Sequence, residues 1–315
     1  MLQSSPNSDV RLQDLESRLA QRRAVEAQHH RGPHAHGHGD FPLQHERVLA
    51  WGLKTALRLC GLYAKGRANA LHPVVRELRL EFPNLAPALE GFRILHLSDF
   101  HIDGVDGLAE ALAERLKFIS ADLCVLTGDY RFEIHGPADK VYPRMRRVLH
   151  AIRARHGVVG ILGNHDCADI APELESMGVR MLVNESLAVG ASNDPLWVIG
   201  VDDPHFYGCD DLEGALQDVP EHGFKLLLSH TPEMYREAAE AGINLYLSGH
   251  THAGQIRLPA IGALSTMADS PRRFAFGHWR HGGMQGYTTA GVGCSLLPVR
   301  FHCPPEIVLI ELARA

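Results

Sequence analysis

Short apolar runs bounded by polar residues recur along the chain from residue 74 onward. Six of them have the length of a buried strand: 92–98, 122–127, 157–162, 196–201, 224–229 and 243–248. Stretches of helical periodicity alternate with several of these runs, near 107–119, 138–155, 170–177, 211–217 and 232–241. Two further strands are expected near 286–291 and 306–312. This alternation predicts an α/β fold in which helices cover a sheet on both faces.

The first 44 residues do not show this pattern. Their stretch HHRGPHAHGHGD combines His, Gly and Pro, which neither fill a core nor sustain a helix. The sequence therefore predicts a disordered, His-rich tail over 1–44. The alternative is an arm that collects metal ions through the histidines at positions 29, 30, 34, 36 and 38.

An amphipathic N-terminal helix is predicted over 45–70. Four basic residues spaced 7, 4 and 7 apart fall on one line of this helix: Arg47, Lys54, Arg58 and Lys65. The remaining surface is largely apolar and includes Trp51, a combination that suits an anionic membrane surface. This interpretation predicts peripheral membrane contact through 45–65. The alternative is a helix that packs on the domain with its charges in water.

Composition narrows the choice of partner. A net charge of -6 argues against a nucleic-acid partner, because such binding requires a basic field that neutralises phosphates. Residues 1–19 lack the apolar segment of a signal peptide, and no window reaches the roughly 18 apolar residues of a membrane span. A cytoplasmic location is expected, with contact at the inner face of the membrane through 45–65.

Residue types that bind metal ions follow five of the predicted strands. They are Asp99 and His101, then Asp129, then Asn164 with His165, then His230, and finally His250 and His252. Taken singly, each has an ordinary explanation as a turn residue, a helix cap or a buried polar group. Because the carboxyl ends of strands share one rim in open α/β sheets, the joint pattern predicts that these side chains converge.

The ordered motifs DxH, GD, GNHD, a single His and GHTH resemble those of the calcineurin-like metallophosphoesterases. The resemblance covers roughly residues 90–312. GHTHAGQIRLP (249–259) and the C-terminal segment are similar to a bacterial branch with exported phosphodiesterases and enzymes resembling UDP-2,3-diacylglucosamine pyrophosphohydrolases. The resemblance implies a four-layer α/β/β/α sandwich of two mixed sheets. It also implies a metallophosphoesterase domain over 71–315, with a metal site at the carboxyl ends of the strands.

The resemblance further implies two divalent metal ions. One would be held by Asp99, His101, Asp129 and His252, and the other by Asp129, Asn164, His230 and His250. Nitrogen and oxygen ligation without thiolate favours Mn, Fe, Zn or Mg, and the resemblance favours Mn. Two such ions give a bridging hydroxide near neutral pH and offset charge on phosphoryl oxygens. In-line attack by that hydroxide would hydrolyse a phosphodiester or pyrophosphate in a phosphorylated small molecule or lipid-linked nucleotide, such as a UDP-linked lipid.

His165 has no metal in this scheme. It is expected to be catalytic, either by hydrogen-bonding a phosphoryl oxygen or by protonating the leaving oxygen. Many relatives place an acid three residues after the aspartate of the GD motif, where this chain has Phe132. Either Glu133, one residue later, reaches the site, or His165 works without an acidic partner.

Substrate binding is expected from Arg257 and Arg300, since arginine grips phosphate oxygens with two donors at once. An ordinary solvated arginine is the alternative at each position. Other activities compatible with the motifs are those of a phosphomonoesterase or a phosphoprotein phosphatase. A non-catalytic metal-binding scaffold of the same fold is disfavoured, because no ligand position is substituted.

Overall fold

The computed structural model describes residues 8–29, 43–191, 193–259, 261–263 and 266–315. The α-helices in these ranges are α1 (Ser8–His29), α2 (Leu43–Leu59), α3 (Tyr63–Ala70), α4 (Leu108–Leu116), α5 (Val141–Ala151), α6 (Ile170–Ser176), α7 (Leu212–Leu216) and α8 (Tyr235–Glu240). Short 3-10 helices span Pro87–Leu89, His252–Gly254 and Arg272–Phe274. Of the helices in the described ranges, none combines the length and apolar character needed to cross a bilayer.

The strands are β1 (Val74–Phe82), β2 (Arg93–Leu97), β3 (Ser120–Ala121), β4 (Leu123–Leu126), β5 (Arg153–Ala154), β6 (Val158–Gly160), β7 (Val179–Met181), β8 (Glu185–Val189), β9 (Leu196–Gly200), β10 (Phe224–Leu228), β11 (Leu245–Ser248), β12 (Arg257–Leu258), β13 (Gly262–Ala263), β14 (Gly277–His281), β15 (Met284–Thr288) and β16 (Glu306–Arg314). One six-stranded sheet has the order β1-β16-β2-β4-β6-β7, and a second has the order β14-β15-β11-β10-β9-β8. Both are mixed. In the first, β2, β4, β6 and β7 run parallel, and in the second, β9, β10, β11 and β15 do.

The two sheets pack face to face because their central strands are apolar on both sides. In β4, Leu123 and Val125 join the core between the sheets, whereas Leu126 packs under the helices of the first sheet. In β10, Leu226 faces the core between the sheets and Leu227 faces the helices of the second sheet. Helices α1, α4, α5 and α6 cover the first sheet, and α7 and α8 cover the second. The predicted four-layer α/β/β/α sandwich is confirmed.

The N-terminal region differs from the predicted disordered tail, because residues 8–29 form the helix α1. Leu15 and Leu19 lie one turn apart on α1, and both are buried against the helical face of the first sheet. Packing of these two side chains on the domain stabilises α1, which the composition of the segment did not indicate. The histidines at positions 30, 34, 36 and 38, on which the metal-collecting alternative rests, lie outside the described residues.

The helix predicted over 45–70 is divided in two. Gly61 adopts the left-handed conformation that ends α2, with φ of 70°. The amide of Leu62 donates to the Leu57 carbonyl at 2.8 Å, and that of Gly61 donates to the Arg58 carbonyl at 3.1 Å. These bonds form a Schellman motif, which stops α2 and lets α3 leave in a new direction.

Candidate metal centre

Five loops at the carboxyl ends of strands form the candidate metal centre. The first sheet contributes the loops after β2, β4 and β6, and the second contributes those after β10 and β11. Because the sheets pack face to face, the five loops meet at one rim. The structure there brings together the seven predicted ligands: Asp99, His101, Asp129, Asn164, His230, His250 and His252.

One part of the cluster gathers Asp99, His101 and His252. The Nε2 atoms of the two histidines are 3.1 Å apart, and His252 Nε2 lies 3.5 Å from Asp99 Oδ1. All three side chains are buried. Their potential ligand atoms lie within 4.8 Å of one another, which is close enough to share one cation.

The other part of the cluster centres on the amide oxygen of Asn164. His230 Nε2 and His250 Nδ1 each lie 2.9 Å from Asn164 Oδ1. Asp129 stands between the two parts, because its Oδ2 is 3.4 Å from His101 Nε2 and 3.3 Å from His230 Nε2. A single carboxylate oxygen therefore faces both groups of ligands.

Backbone carbonyls orient the imidazoles from behind. His101 Nδ1 donates to the Arg131 carbonyl at 2.8 Å, and His230 Nδ1 donates to the Thr127 carbonyl at 2.7 Å. His250 Nε2 donates to the Met267 carbonyl at 2.8 Å. The opposite ring nitrogen of each histidine therefore points into the cluster, where it can ligate a metal ion once it carries no proton.

The backbone at this rim is strained. Five of the seven predicted ligands have positive φ, in the left-handed region that non-glycine residues seldom adopt: Asp99 (51°), His101 (37°), Asp129 (57°), His250 (68°) and His252 (48°). Each such residue costs on the order of 1–3 kcal/mol and persists only where the surrounding structure holds it in place. Strain concentrated on a few neighbouring residues is typical of functional sites.

Charge at the centre is concentrated on Asp129 and the histidines around it. Burial alone would raise the pKa of Asp129, but His230 and His165 hold it well below its usual value. Burial lowers the pKa of His230, yet the charge and hydrogen bond of Asp129 outweigh it and bring that pKa to about 10. Burial lowers the pKa of His250 to about 3 and that of His252 well below its usual value. The last two are therefore neutral, ready to ligate.

The donor set fits divalent cations. Asp99 Oδ2 is buried, and no donor among the described residues hydrogen-bonds to it. A buried carboxylate oxygen without a partner is costly, and a cation bound at the cluster would satisfy it. Oxygen and imidazole donors without thiolate suit Mn, Fe, Zn or Mg.

His165 lies beside the ligands, with its ring centroid 4.6 Å from that of His101. Its Nδ1 donates to the Phe132 carbonyl at 2.7 Å, which leaves Nε2 as the free ring nitrogen. Burial lowers the pKa of His165 to about 3. Glu133 is exposed, and the backbone of Phe132 occupies the place of an acidic partner.

Arg300 does not suit the predicted role in substrate binding. It is fully buried and donates to the carbonyls of Gly293 at 2.6 Å and Ala290 at 2.7 Å. Its Nη2 also lies 3.3 Å from His252 Nδ1, so its place is behind a ligand and away from the open face. Arg257 is half-buried, donates to the Ala253 carbonyl at 3.2 Å and stacks over Phe276.

Two further features of the centre were not assigned from the sequence. The Asp166 carboxylate accepts from the amides of Asp129 and Gly163, each at 2.8 Å, and so joins two ligand loops. His205 packs its ring 4.6 Å from that of His250 and donates from Nδ1 to Glu233 at 2.9 Å. His205 follows β9. A search for metal-binding residue types after that strand, as after the other five, would have found it.

Comparison with known proteins identifies this arrangement. The family model for calcineurin-like phosphoesterases matches residues 92–254, which span the candidate ligands from Asp99 to His252. The chain belongs to the calcineurin-like phosphoesterase family. As a member it is a phosphoric ester hydrolase of a family that works with two metal ions, and the resemblance read from its motifs is confirmed.

Relatives from Bacillus subtilis and Escherichia coli match most of the chain. It is 26% identical to the uncharacterized metallophosphoesterase YkoQ of Bacillus subtilis (strain 168), over 79% of this chain and 93% of that protein. It is 30% identical to YkuE, an uncharacterized metallophosphoesterase of the same organism, over 71% of this chain and 79% of that protein. It is 28% identical to phosphodiesterase YaeI of Escherichia coli (strain K12), over 73% of this chain and 83% of that protein.

Proposed function

We propose that this enzyme hydrolyses phosphodiester or pyrophosphate bonds with two divalent cations, Mn being the metal expected. Asp99, His101, Asp129 and His252 would hold one cation, and Asp129, Asn164, His230 and His250 the other. The observation that carries the proposal is the position of Asp129 Oδ2, 3.4 Å from His101 Nε2 and 3.3 Å from His230 Nε2. When bound, the cations supply a water of lowered pKa and offset the negative charge of the phosphoryl group.

His165 is proposed to act on the substrate itself. Its Nδ1–H is fixed by the Phe132 carbonyl, so Nε2 is the nitrogen available to a phosphoryl or leaving oxygen. Although the ring is neutral before substrate binds, an anionic phosphate beside it favours the protonated form and raises its pKa. The protonated ring can then hydrogen-bond a phosphoryl oxygen or give its proton to the leaving oxygen.

A lipid-linked nucleotide, such as a UDP-linked lipid, is the proposed substrate class. Met267, next to the centre, is 59% exposed, and Ile261, in the turn between β12 and β13, is 69% exposed. Met267 is tied to the centre by its carbonyl, which accepts from His250. An exposed apolar rim of this kind favours a substrate with a hydrocarbon portion over a freely soluble nucleotide. Arg257, near this rim, is the arginine we retain as a candidate for phosphate binding.

Helix α2 is proposed to contact an anionic membrane surface. Trp51 is 70% exposed and Leu59 is 84% exposed, which is unusual for large apolar side chains. Lys54 and Arg58 lie over the Tyr63 ring at 5.9 and 5.1 Å and supply basic charge on the same segment. Apolar and basic residues together are what an anionic bilayer binds. The Arg47 side chain lies outside the described residues.

Helix α3 connects the proposed membrane segment to the rim of the centre. The Gly66 carbonyl accepts from the Arg300 amide at 3.0 Å, and Asn69 donates to the Arg300 carbonyl at 2.8 Å. The next residue, Phe301, accepts through its carbonyl from the Arg257 amide at 2.9 Å. These hydrogen bonds connect α3 to the segment that carries Arg257. They support a metal centre held close to the bilayer, where a lipid-linked substrate would be found.

Activity on two model substrates tests the proposed reaction. The full-length protein is stripped by chelator, resupplied with Mn²⁺, and assayed on bis(p-nitrophenyl) phosphate and p-nitrophenyl phosphate. Hydrolysis of the diester that depends on added metal is expected. Hydrolysis of the monoester alone would contradict the diesterase proposal and favour a phosphomonoesterase. A protein that binds metal but hydrolyses neither would be the non-catalytic scaffold.

Flotation with vesicles of anionic and of neutral lipid tests the membrane contact. The double variant Trp51→Glu, Leu59→Glu is expected to lose binding to anionic vesicles, because both side chains are exposed on the proposed contact segment. Phe118→Glu is the matched control, since Phe118 is equally exposed but lies outside that segment. Equal flotation of the wild type and the double variant would contradict the proposed membrane contact of α2.

A further inference from the structure

The helix α1 reaches the back of the metal centre, although it lies far from the ligands in sequence. Its residue Arg22 is fully buried. One guanidinium nitrogen, Nη2, donates to the carbonyls of Gly163 and Asp166, each at 2.6 Å. The other, Nη1, pairs with the buried carboxylate of Asp202. The guanidinium also stacks on the Tyr207 ring, 3.9 Å from its centroid.

The two carbonyls that Arg22 holds flank Asn164 and His165. A single guanidinium nitrogen thus joins both ends of the turn that presents these side chains. Glu26, one turn further along α1, accepts from the Ala168 amide at 2.8 Å and adds a second attachment just beyond that turn. The turn is therefore fixed from outside the domain predicted by the motifs.

The same turn is linked to the Asp129 loop. The Asp166 carboxylate accepts from the amides of Asp129 and Gly163, so a displacement of the turn would be passed to the shared ligand. The amide of His165 donates to Asp129 Oδ1 at 2.8 Å, which couples the two loops a second time. Arg22 thus supports Asn164 and His165 directly and Asp129 through one intermediate residue.

We propose that Arg22 is a positioning residue and that α1 is an integral part of the active site. Resting on the proposed function, the inference is that Arg22 holds the 163–166 turn so that Asn164 reaches its cation and His165 reaches the substrate. Arginine suits this place because its planar fork serves two carbonyls and one carboxylate at once. Lysine keeps the positive charge but lacks that fork. The Arg22→Lys variant therefore tests the hydrogen-bond geometry while the charge stays the same.

The test compares Arg22→Lys and Arg22→Ala with Arg23→Ala in the full-length protein. Arg23 is the matched control, because it is the next residue of α1, is partly exposed and pairs with the surface carboxylates of Glu16 and Asp169. Folding is checked by circular dichroism and thermal unfolding. Mn²⁺ affinity is measured by calorimetry, and kcat and KM are measured on bis(p-nitrophenyl) phosphate with and without added guanidinium ion.

Arg22→Lys is expected to remain folded and to lose about 10–100-fold both in kcat and in Mn²⁺ affinity, the cost usual for groups that orient metal ligands. KM should change much less than kcat, and guanidinium ion should partly restore Arg22→Ala. Arg23→Ala should match the wild type. A folded Arg22→Lys with wild-type kcat and Mn²⁺ affinity would overturn the inference.

Unfolding of Arg22→Lys, or a lower Tm with unchanged kcat per folded molecule, would also overturn the inference by making the role purely structural. A wild-type protein that binds Mn²⁺ but hydrolyses neither model substrate would instead count against the proposed function. In that case calorimetry still reports on Arg22, since Mn²⁺ affinity should fall in Arg22→Lys whether or not the protein is a diesterase.

Discussion

Binding of a divalent cation to this centre should release protons. The His230 Nε2 that faces Asp129 is the atom proposed to ligate a cation, and the Asp129 carboxylate raises the pKa of this histidine to about 10 despite its burial. At neutral pH in the metal-free protein this nitrogen therefore carries a proton. Since a cation and a proton cannot share one lone pair, the proton must leave when the cation binds.

The size of the effect follows from that pKa. Between about pH 6 and about pH 8, His230 is almost fully protonated without metal, so its ligation releases about one proton per chain. The association constant for Mn²⁺ should then rise about tenfold for each unit of pH, levelling off above the His230 pKa. His101, whose pKa Asp129 raises in spite of burial, adds to the release at pH values below its own pKa.

Calorimetric titration of the chelator-stripped protein with Mn²⁺ measures this release directly. At a single pH, the heat is compared in two buffers with different enthalpies of ionisation, and the difference counts the protons. His230→Asn should remove about one proton from that count. His222→Asn, at an exposed position, is the control and should leave it unchanged. Heat independent of the buffer, with Mn²⁺ affinity constant from about pH 6 to about pH 8, would refute the reasoning.

The remaining predictions concern single substitutions. Asp129→Asn should reduce the bound metal, measured by elemental analysis, and lower kcat/KM by more than about 10²-fold, whereas the exposed control Asn193→Ala should do neither. His165→Asn should cost about 10²–10⁴-fold in kcat on a diester with a poor leaving group, and near-normal turnover there would exclude its proposed role. Gly249→Ala should destabilise the protein by about 1–3 kcal/mol in urea unfolding, because its Cβ would overlap the Ser98 hydroxyl and the Asp99 carboxylate. Gly283→Ala is its control, since a Cβ there meets nothing within 4 Å, and equal stability of the two variants would contradict the packing argument.

The strands in the middle of each sheet were predictable, whereas several edge strands were not. Buried strands such as β4 and β10 are apolar along their whole length, which makes them visible as runs. The edge strand β1 (VVRELRLEF) is mostly exposed, and the charged residues within it interrupt the apolar pattern. An edge strand needs only one paired neighbour, here β16, and its sequence carries correspondingly less signal.

The candidate site shows a similar division. The gathering of the seven candidate ligands at one rim could be predicted, because the ends of buried strands can be recognised in the sequence and the topology brings them together. The partner of His165 could not, because it is the carbonyl of Phe132 and a backbone atom has no sequence signature. The role of Arg300 was mispredicted, and that of Arg22 was not predicted, because a buried arginine and a solvated one look alike in sequence. Only the fold shows which carbonyls surround them.

Elemental analysis of the purified, active protein tests the central claim most directly. Metal content is measured on the same sample that is assayed for diester hydrolysis, before and after chelation and resupply. About two divalent ions per chain are expected, with activity lost on their removal and restored by Mn²⁺. Full diesterase activity in protein that contains no bound metal ion would contradict the account.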